Sequence, residues 1–298
     1  MKKVLITLIH QIVHRLSLEN LIYHMGGTRA IFWKFIPPPS FYRGKKRHLI
    51  SRNGARFLIN RADYMQWHIF TGLPDNSWKP ATARLQKSNA QNHLHVFDVG
   101  ANCGAFTLKL AAWCYKKGLS HVTIHAFEPN PNVVQVLTEN IELNPTLKSI
   151  IQIHPFGLGA ANEMIPFHSN EENSGAGTFS GFGKAVLGEL MIRRMDDVVS
   201  DIKSGVVFFL KIDVEGFEPD VLMGAQQTIS KFKPGIYIEM TDQWFREKGS
   251  SSLKILNYFW ELGYDVFLDA DRHFEPIGKD NHDRLNTLFQ YNVLAELN

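Results

Sequence analysis

Cysteine is scarce in this chain, with only Cys103 and Cys114 among 298 residues. Two cysteines eleven positions apart in one predicted strand–helix unit indicate neither a disulfide framework nor a C-x-x-C metal site. A protein that dispenses with disulfides is typical of a reducing compartment. We therefore predict a cytoplasmic location.

The sequence also lacks an uninterrupted apolar run of membrane-spanning length. The apolar stretch within residues 1–27 is broken by His10, Gln11, His14 and Arg15. No small-residue cleavage site follows, so neither a signal peptide nor a transmembrane helix is predicted. The pattern indicates an amphipathic helix ended by Gly26 and Gly27 that packs on the domain or on a partner, and peripheral contact with a membrane remains open.

Charge of one sign is not in large excess, because 32 basic and 29 acidic residues leave a formal net charge of +3. That balance does not indicate a nucleic-acid partner, and the local basic cluster "YRGKKRH" at 42–48 is interpreted as a solvated face. None of the 13 histidines has H-E-x-x-H spacing. His93 and His95 share one face of a predicted strand without a third ligand, so no metal site is predicted.

A glycine is missing where a dinucleotide-binding loop would need one. The stretch "VFDVGANCGAFTLKLA" at 96–111 joins a predicted strand to a predicted helix through Gly100 and Gly104, which is not G-x-G-x-x-G. Such a loop favours S-adenosylmethionine (SAM), which carries an amino acid and a ribose but no phosphate. Asp98 would then face the ammonium of the cofactor, and Gly100 and Asn102 would line its amino-acid end. A turn made only for tight packing remains the alternative.

A second predicted strand, within "HVTIHAFEPNP" at 121–131, ends in Glu128. In a doubly wound sheet this acid lies beside the first loop, where its two oxygens can accept both ribose hydroxyls. We therefore predict a cofactor site made of Asp98, Gly100, Asn102, Gly104 and Glu128.

Strand-like runs predict the architecture. They occur at 94–99, 122–127, 150–155, 206–213, 235–240, 264–268 and 286–296. Helical stretches between the early ones give an α/β, doubly wound Rossmann-like sheet of seven strands. The last two runs have no obvious helix between them, so the last strand is expected to be antiparallel, as in class I methyltransferases. We predict a helical and connecting region over 1–92 and the α/β domain over 93–298.

Charged residues interrupt the apolar stretch "VVFFLKIDVEGFEPDVLMGA" at 206–225. Lys211, Asp213 and Glu215 alternate with apolar residues and would share one face if the strand continues that far, at the ligand edge of the sheet. An ionised carboxylate there can accept a proton from a hydroxyl. These three are the predicted catalytic residues, although a structural ion pair remains possible for Lys211 and one acid, and Glu218 is interpreted as structural.

Two further residues are predicted to bind the substrate. Glu239 ends the run "IYIEM" at the same edge. It is expected to position the acceptor; its assistance to Asp213 in metal binding ranks lower because the ligand set is incomplete. Phe179 lies in the Gly-, Ser- and Asn-rich stretch 168–184, which is interpreted either as a lid over the substrate or as an ordinary flexible loop.

Four of these motifs together resemble the FkbM family of SAM-dependent methyltransferases. They are "FDVGANCGAFTL", "FEPNP", "RRMDDVV" and "LKIDVEGFEPDVLMGA", and they run from about Asp98 to Glu239. The resemblance implies transfer of a methyl group from SAM to a hydroxyl of a sugar, polysaccharide or secondary metabolite. It also implies that Asp98, Gly100, Asn102 and Glu128 form the cofactor site.

Other readings of the sequence remain open. The stretch after the fourth strand lacks the Asn/Asp-Pro-Pro-aromatic turn of amino-directed methyltransferases, which favours transfer to oxygen. A nicotinamide-dependent oxidoreductase is the first alternative, and a non-catalytic SAM-binding module that works through a partner is the second. The sequence leaves the oligomeric state open.

Overall fold

The computed structural model describes most of the chain, as two compact units. The described residues are 2–19, 21–22, 33–42, 44, 46–72, 76–88, 92–170, 173–178, 186–202, 204–270 and 273–297. The units are Met1–Asp75 and Asn76–Asn298. The division predicted between residues 92 and 93 stays a prediction.

The first unit combines short helices with one β-hairpin. Its elements are helix α1 (Lys2–Arg15), 3-10 turns at Trp33–Phe35 and Pro39–Phe41, strands β1 (Arg47–Arg52) and β2 (Ala55–Asn60), and helix α2 (Tyr64–Thr71). Asn53 and Gly54 join β1 to the antiparallel β2, with φ of 51° and 84°. An Asn-Gly pair suits this turn because both positions need positive φ.

Helix α1 is shorter than predicted. It ends at Arg15, and Ser17 then leaves the helical region with a φ of 52°. The predicted end at Gly26 and Gly27 lies outside the described residues. Among the helices that the structure describes, none is both long and apolar enough to cross a membrane.

The second unit alternates strands with helices. Its helices are α3 (Trp78–Lys87), α4 (Ala105–Lys117), α5 (Pro131–Glu142), α6 (Pro145–Lys148), α7 (Met195–Ser200), α8 (Glu218–Met223), α9 (Gln226–Phe232), α10 (Asp242–Glu247) and α11 (Ser252–Glu261), with a 3-10 turn at His282–Thr287. Its strands are β3 (Leu94–Val99), β4 (Val122–Phe127), β5 (Ile151–His154), β6 (Gly157–Leu158), β7 (Glu163–Asn170), β8 (Asn173–Thr178), β9 (Val186–Arg193), β10 (Val206–Ile212), β11 (Gly235–Met240), β12 (Asp265–Asp269), β13 (Phe274–Ile277) and β14 (Tyr291–Glu296).

Eight strands form the main sheet, in the order β13-β12-β14-β11-β10-β3-β4-β5. Strands β5, β4, β3, β10 and β11 are parallel, and β14 is antiparallel to both β11 and β12. The doubly wound α/β fold with an antiparallel last strand is thus confirmed, but the sheet has eight strands and not seven. The additional strand β13 contains Pro276, which is tolerated because β13 is an edge strand.

A smaller sheet is inserted between β5 and β10, in the order β6-β9-β7-β8. Strands β7 and β8 are an antiparallel pair, and β7 also pairs with β9. The stretch 168–184 is therefore partly β-structure and not simply a loop. Residues 171–172 and 179–185 lie outside the described residues, and whether the stretch acts as a lid stays a prediction.

Two buried histidines and one partly buried histidine form a hydrogen-bonded row across the main sheet. His95 Nδ1 lies 2.9 Å from His125 Nε2, and His125 Nδ1 lies 2.9 Å from His154 Nε2. The other nitrogen of His95, Nε2, lies 2.8 Å from the carbonyl oxygen of Ser204. Burial lowers the pKa of His125 to about 3 and that of His154 to about 4, so the row is held by neutral rings.

Candidate active site

The glycine loop after β3 lies directly against the end of β10. Gly100 has a φ of +81°, and a Cβ atom built on it would be 1.9 Å from the Asp213 carbonyl oxygen. The Asp213 amide donates a hydrogen bond to the Val99 carbonyl at 3.1 Å. Only glycine permits both this φ and this close approach. The strand order therefore brings together two motifs that are far apart in sequence.

Lys211 connects the two motifs electrostatically. Its Nζ lies 3.3 Å from Asp98 Oδ1 and 3.2 Å from Asp213 Oδ2, and it donates to the Gly100 carbonyl at 3.0 Å. Burial disfavours the ammonium, but the carboxylates of Asp213 and Asp98 more than offset this and raise the pKa of Lys211. Lys211 is therefore charged at neutral pH and fixes the loop to the end of β10.

Asp98 is completely buried, with 0% of its surface exposed. Its Oδ2 accepts a hydrogen bond from Thr107 Oγ1 at 2.6 Å, in addition to the ion pair of Oδ1 with Lys211. Both oxygens thus already contact side chains of this protein. This arrangement allows Asp98 to hold the loop in place, and its predicted contact with the cofactor ammonium stays a prediction.

Glu128 lies beside the loop, as its position at the end of β4 predicts. Its Oε2 accepts from the Asn102 amide at 3.1 Å, and its Oε1 accepts from the Asn130 amide at 3.0 Å. Burial raises its pKa to about 7, although the two amides oppose that change. Because each carboxylate oxygen can accept more than one hydrogen bond, both retain capacity for a ligand hydroxyl.

Helix α4 begins immediately after Gly104, whose φ is +89°. A Cβ atom on Gly104 would lie 2.8 Å from Leu137 Cδ1 of α5, so this glycine allows α4 and α5 to pack closely. Asn102 also has a positive φ of 50°, and its own Oδ1 accepts from the Cys103 amide at 2.7 Å. The loop is thus held by local contacts and keeps a bare backbone at Gly100.

The predicted shared face of Lys211, Asp213 and Glu215 is wrong for Glu215. Strand β10 ends at Ile212, and Glu215 adopts a φ of 52° in a tight turn. Glu218 causes this turn, because its carboxylate accepts from the amides of Val214 and Gly216, both at 2.9 Å. Glu215 is still only half-buried. Burial and then the charge of Asp213 raise its pKa to about 7.

Glu239 occupies the adjacent position at the end of β11. Burial, and then the charges of Asp213, Glu215 and Glu218, raise its pKa to about 9. Its Oε2 is buried and has no hydrogen-bond partner among the residues that the structure describes. At neutral pH this oxygen belongs to a neutral carboxylic acid, which can donate a hydrogen bond to an incoming oxygen.

The structure thus gathers nearly all predicted site residues at one edge of the main sheet. The exception is Phe179, which lies outside the described residues. Sequence reasoning missed Thr107, which supports Asp98. It also assigned Glu218 only to the start of a helix and missed the turn at Glu215 that the Glu218 side chain holds. An acid three residues after Glu215 is a signal for that contact. In the described part of the chain, no group of three or more His, Cys, Asp or Glu side chains is arranged to hold a metal ion.

A main sheet of this strand order, with a glycine loop after its first strand and an acid after its second, defines the class I methyltransferase fold. The family model that matches is described as the Methyltransferase FkbM domain, and its match covers residues 98–266. The chain therefore belongs to the FkbM methyltransferase family, and the predicted resemblance is confirmed. The match gives no support to a nicotinamide-dependent oxidoreductase.

Relatives with assigned names are also methyltransferases. Methyltransferase 1 of Beauveria bassiana is 27% identical over 167 residues, which is 49% of this chain and 64% of that protein. Hexuronic acid methyltransferase AglP of Haloferax volcanii is 28% identical over 177 residues, which is 59% of this chain and 66% of that protein. The chain thus spans slightly less than two thirds of the length of these relatives.

Among solved structures, one similar chain is the FkbM methyltransferase of Methylobacillus flagellatus. It is 19% identical, with a TM-score of 0.42, and the match covers 77% of this chain and 52% of that one. The fold assignment rests on the strand order of the main sheet.

Proposed function

We propose that this protein is a SAM-dependent O-methyltransferase that acts on a hydroxyl of a sugar, polysaccharide or secondary metabolite. One observation carries the proposal: the Gly100 loop contacts Glu128 on one side and the end of β10 on the other. A ligand on this loop is therefore within reach of both the predicted ribose acceptor and the predicted catalytic acids. Family membership supports the same reaction class.

The residues of the loop fit SAM. Glu128 has acceptor capacity for ribose hydroxyls, Gly100 allows close approach to backbone, and Asn102 and Gly104 shape the loop between them. In this proposal Asp98 acts through Lys211, which it holds against the Gly100 carbonyl. The loop does not need further glycines to surround a phosphate group, because SAM carries no phosphate.

Glu215 is the general base in this proposal. When bound, SAM supplies a methyl group on a positively charged sulfur, which becomes a neutral thioether as the hydroxyl oxygen takes the methyl. Glu215 accepts the proton of that hydroxyl, for which a pKa of about 7 is well matched to neutral pH. Its strained positive φ is also typical of residues retained for function. Asp213 keeps Lys211 in place, and Glu239 positions the acceptor by donating a hydrogen bond.

Two observations favour a hydroxylated acceptor. The turn after β10 is "DVEG", without the prolines of amino-directed methyltransferases. One relative is named a hexuronic acid methyltransferase, which supports a sugar as the acceptor class. The predictions of no nucleic-acid partner and of a cytoplasmic location stay predictions.

The proposal is tested by calorimetric titration with S-adenosylhomocysteine, the product form of the cofactor. Wild type is expected to bind, and Glu128→Ala is expected to weaken binding by roughly 10-fold to 100-fold, since a hydrogen bond to a charged group contributes about 1.5–3 kcal/mol. Glu142→Ala, which removes an exposed acid paired with Lys148, is the matched control and should bind as wild type does.

Thermal unfolding of each variant establishes that it is folded before titration. Failure of folded wild type to bind, or an unchanged affinity in folded Glu128→Ala, would contradict the cofactor assignment. Binding without methyl transfer to any of a broad panel of hydroxylated acceptors would favour the non-catalytic SAM-binding module.

A further inference from the structure

A groove separate from the cofactor loop lies beside the acids at the end of β11. It has a volume of about 420 Å³, within the roughly 300–1,000 Å³ typical of small-molecule sites. Helix α10 supplies one wall, with Asp242, Gln243, Arg246 and Glu247. The segment before β14 supplies the other, with Asn286, Leu288 and Phe289. We refer to these seven residues as the Phe289 groove.

Two contacts connect the elements of the Phe289 groove with the catalytic end of the proposed site. Gln290, next to Phe289 in the chain, hydrogen bonds to the Glu239 side chain. On the other wall, helix α10 packs against the turn that carries Glu215, since a Cβ atom on Gly216 would be 3.0 Å from Trp244 Cβ. An acceptor in the groove would therefore lie next to the elements that hold Glu215 and Glu239.

The wall before β14 carries apolar side chains that are unusually exposed. Phe289 exposes 66% of its surface and Leu288 exposes 39%, although burial of such side chains is favourable by roughly 1.5–3 kcal/mol each. An aromatic face of this kind packs well against an apolar ring face. Two side chains provide too little apolar area for a membrane or for a large apolar partner.

The rim of the groove carries donors and acceptors in balance. The amides of Gln243 and Asn286 offer both functions, and the carboxylates of Asp242 and Glu247 accept. Arg246 is the only cationic side chain of the seven, and its Nε is ion-paired with Asp242 Oδ2. The rim therefore has no excess positive charge to select an anion, and it suits a ring of neutral hydroxyl groups.

An apolar wall and a mixed polar rim match a pyranose, which has a C–H face and a perimeter of hydroxyls. We propose that the Phe289 groove binds a neutral sugar ring of the acceptor, with its C–H face on Phe289. This inference rests on the proposed function, because it assigns the non-reacting part of the same acceptor.

Saturation-transfer difference NMR tests the groove with defined probes. The probes are the methyl glycosides of glucose, galactose, mannose and rhamnose, together with methyl glucuronoside, each added to the protein saturated with S-adenosylhomocysteine. Wild type is expected to transfer saturation to the C–H protons of at least one neutral glycoside. Phe289→Ala is expected to weaken that binding by at least 10-fold.

Tyr115→Ala is the matched control, because Tyr115 is an aromatic residue with 61% of its surface exposed on α4 and it does not line the groove. It should leave the signals unchanged. Because Phe289 is exposed, its replacement should also leave S-adenosylhomocysteine affinity and thermal stability unchanged.

The other outcomes overturn the inference and separate it from the proposed function. Absence of saturation on every neutral glycoside, or binding of the glucuronoside alone, would reject a neutral sugar while S-adenosylhomocysteine binding still supports the methyltransferase. Equal signals from wild type and Phe289→Ala would place the sugar elsewhere. Failure of wild type to bind S-adenosylhomocysteine would contradict the proposed methyltransferase function itself.

Discussion

At the scale of single residues, burial sets the protonation of the acids at the site. Glu215, Glu218 and Glu239 have pKa values raised to about 7, 8 and 9, in each case chiefly by burial. Of the three, only Glu215 is ionised to a large extent at neutral pH. It can therefore accept a proton, whereas Glu239 is suited to donate a hydrogen bond.

This difference predicts the pH dependence of methyl transfer. The ratio kcat/KM should rise about tenfold per pH unit below about 7 and level off between about 7 and 9, because Glu215 must be ionised to act as base and Glu239 must keep the proton that it donates. Glu215→Gln should lower kcat/KM by roughly 10²–10⁴-fold and remove this inflection. Initial rates measured from pH 5 to 9 provide the test.

The control for this prediction is Asp220→Asn, which changes an acid on α8 that is ion-paired with Lys248. It should retain the inflection of wild type. An inflection that persists in Glu215→Gln would assign it to another group, of which Glu128, with a pKa also raised to about 7, is the first candidate.

At the scale of elements, much of the main sheet is predictable from sequence. All seven predicted strands are present, although the last begins at Tyr291 and not at residue 286. The parallel strands were predictable because buried parallel strands are continuous apolar runs with clear ends. Strand β13 was not predicted because Glu275 and Pro276 interrupt that pattern. The inserted sheet was not predicted because its glycine-rich strand β8, "NSGAGT", has low strand propensity. This strand is stabilised by pairing with β7.

The candidate site was predictable to a similar extent. Strand ends locate Glu128, Asp213 and Glu239 at the ligand edge, since this follows from topology alone. The turn at Glu215 was not predictable from alternation, because it depends on the side chain of Glu218 binding two backbone amides. The pairing of Thr107 with Asp98 likewise depends on how α4 packs on β3.

The contact between the glycine loop and β10 predicts the effect of a single methyl group. Gly100→Ala should destabilise the protein by at least ~2 kcal/mol more than Gly118→Ala and should abolish S-adenosylhomocysteine binding. Gly118 has a similar φ of +69° but has no atom within 4 Å of an added Cβ. The control therefore carries the same backbone strain without the collision with Asp213.

Urea unfolding and calorimetry measure the two quantities. Equal losses of stability in Gly100→Ala and Gly118→Ala would mean that the collision is relieved by movement of the loop, and that its position against Asp213 is not required.

At the scale of the whole molecule, stability should depend on pH through two sets of groups whose effects are opposite. The three histidines of the row stay neutral in the folded protein, while the unfolded chain binds protons below about pH 6.5. Their contribution to stability is thus lost as pH falls. The raised pKa values of Glu128, Glu218 and Glu239 act in the opposite direction, because the folded state retains protons that the unfolded state releases above about pH 4.5.

A variant of the central histidine isolates one of these contributions. As pH falls below 6, wild type should lose up to about 1.4 kcal/mol of unfolding free energy per pH unit relative to His125→Phe. Urea unfolding of both proteins between pH 4.5 and 7.5 measures this difference. His273→Phe, at an exposed position, is the control, and a His125→Phe difference that does not change with pH would contradict the assignment of a neutral ring.

The row of histidines has a direction that its distances alone do not show. A carbonyl oxygen only accepts, so His95 must donate from Nε2 to Ser204, which leaves its Nδ1 as an acceptor for His125. The same requirement then passes to His154. All three neutral rings are consequently Nε2–H tautomers, and nitrogen NMR should find one protonated and one bare nitrogen in each. One backbone carbonyl therefore determines the proton positions of three rings on three successive strands.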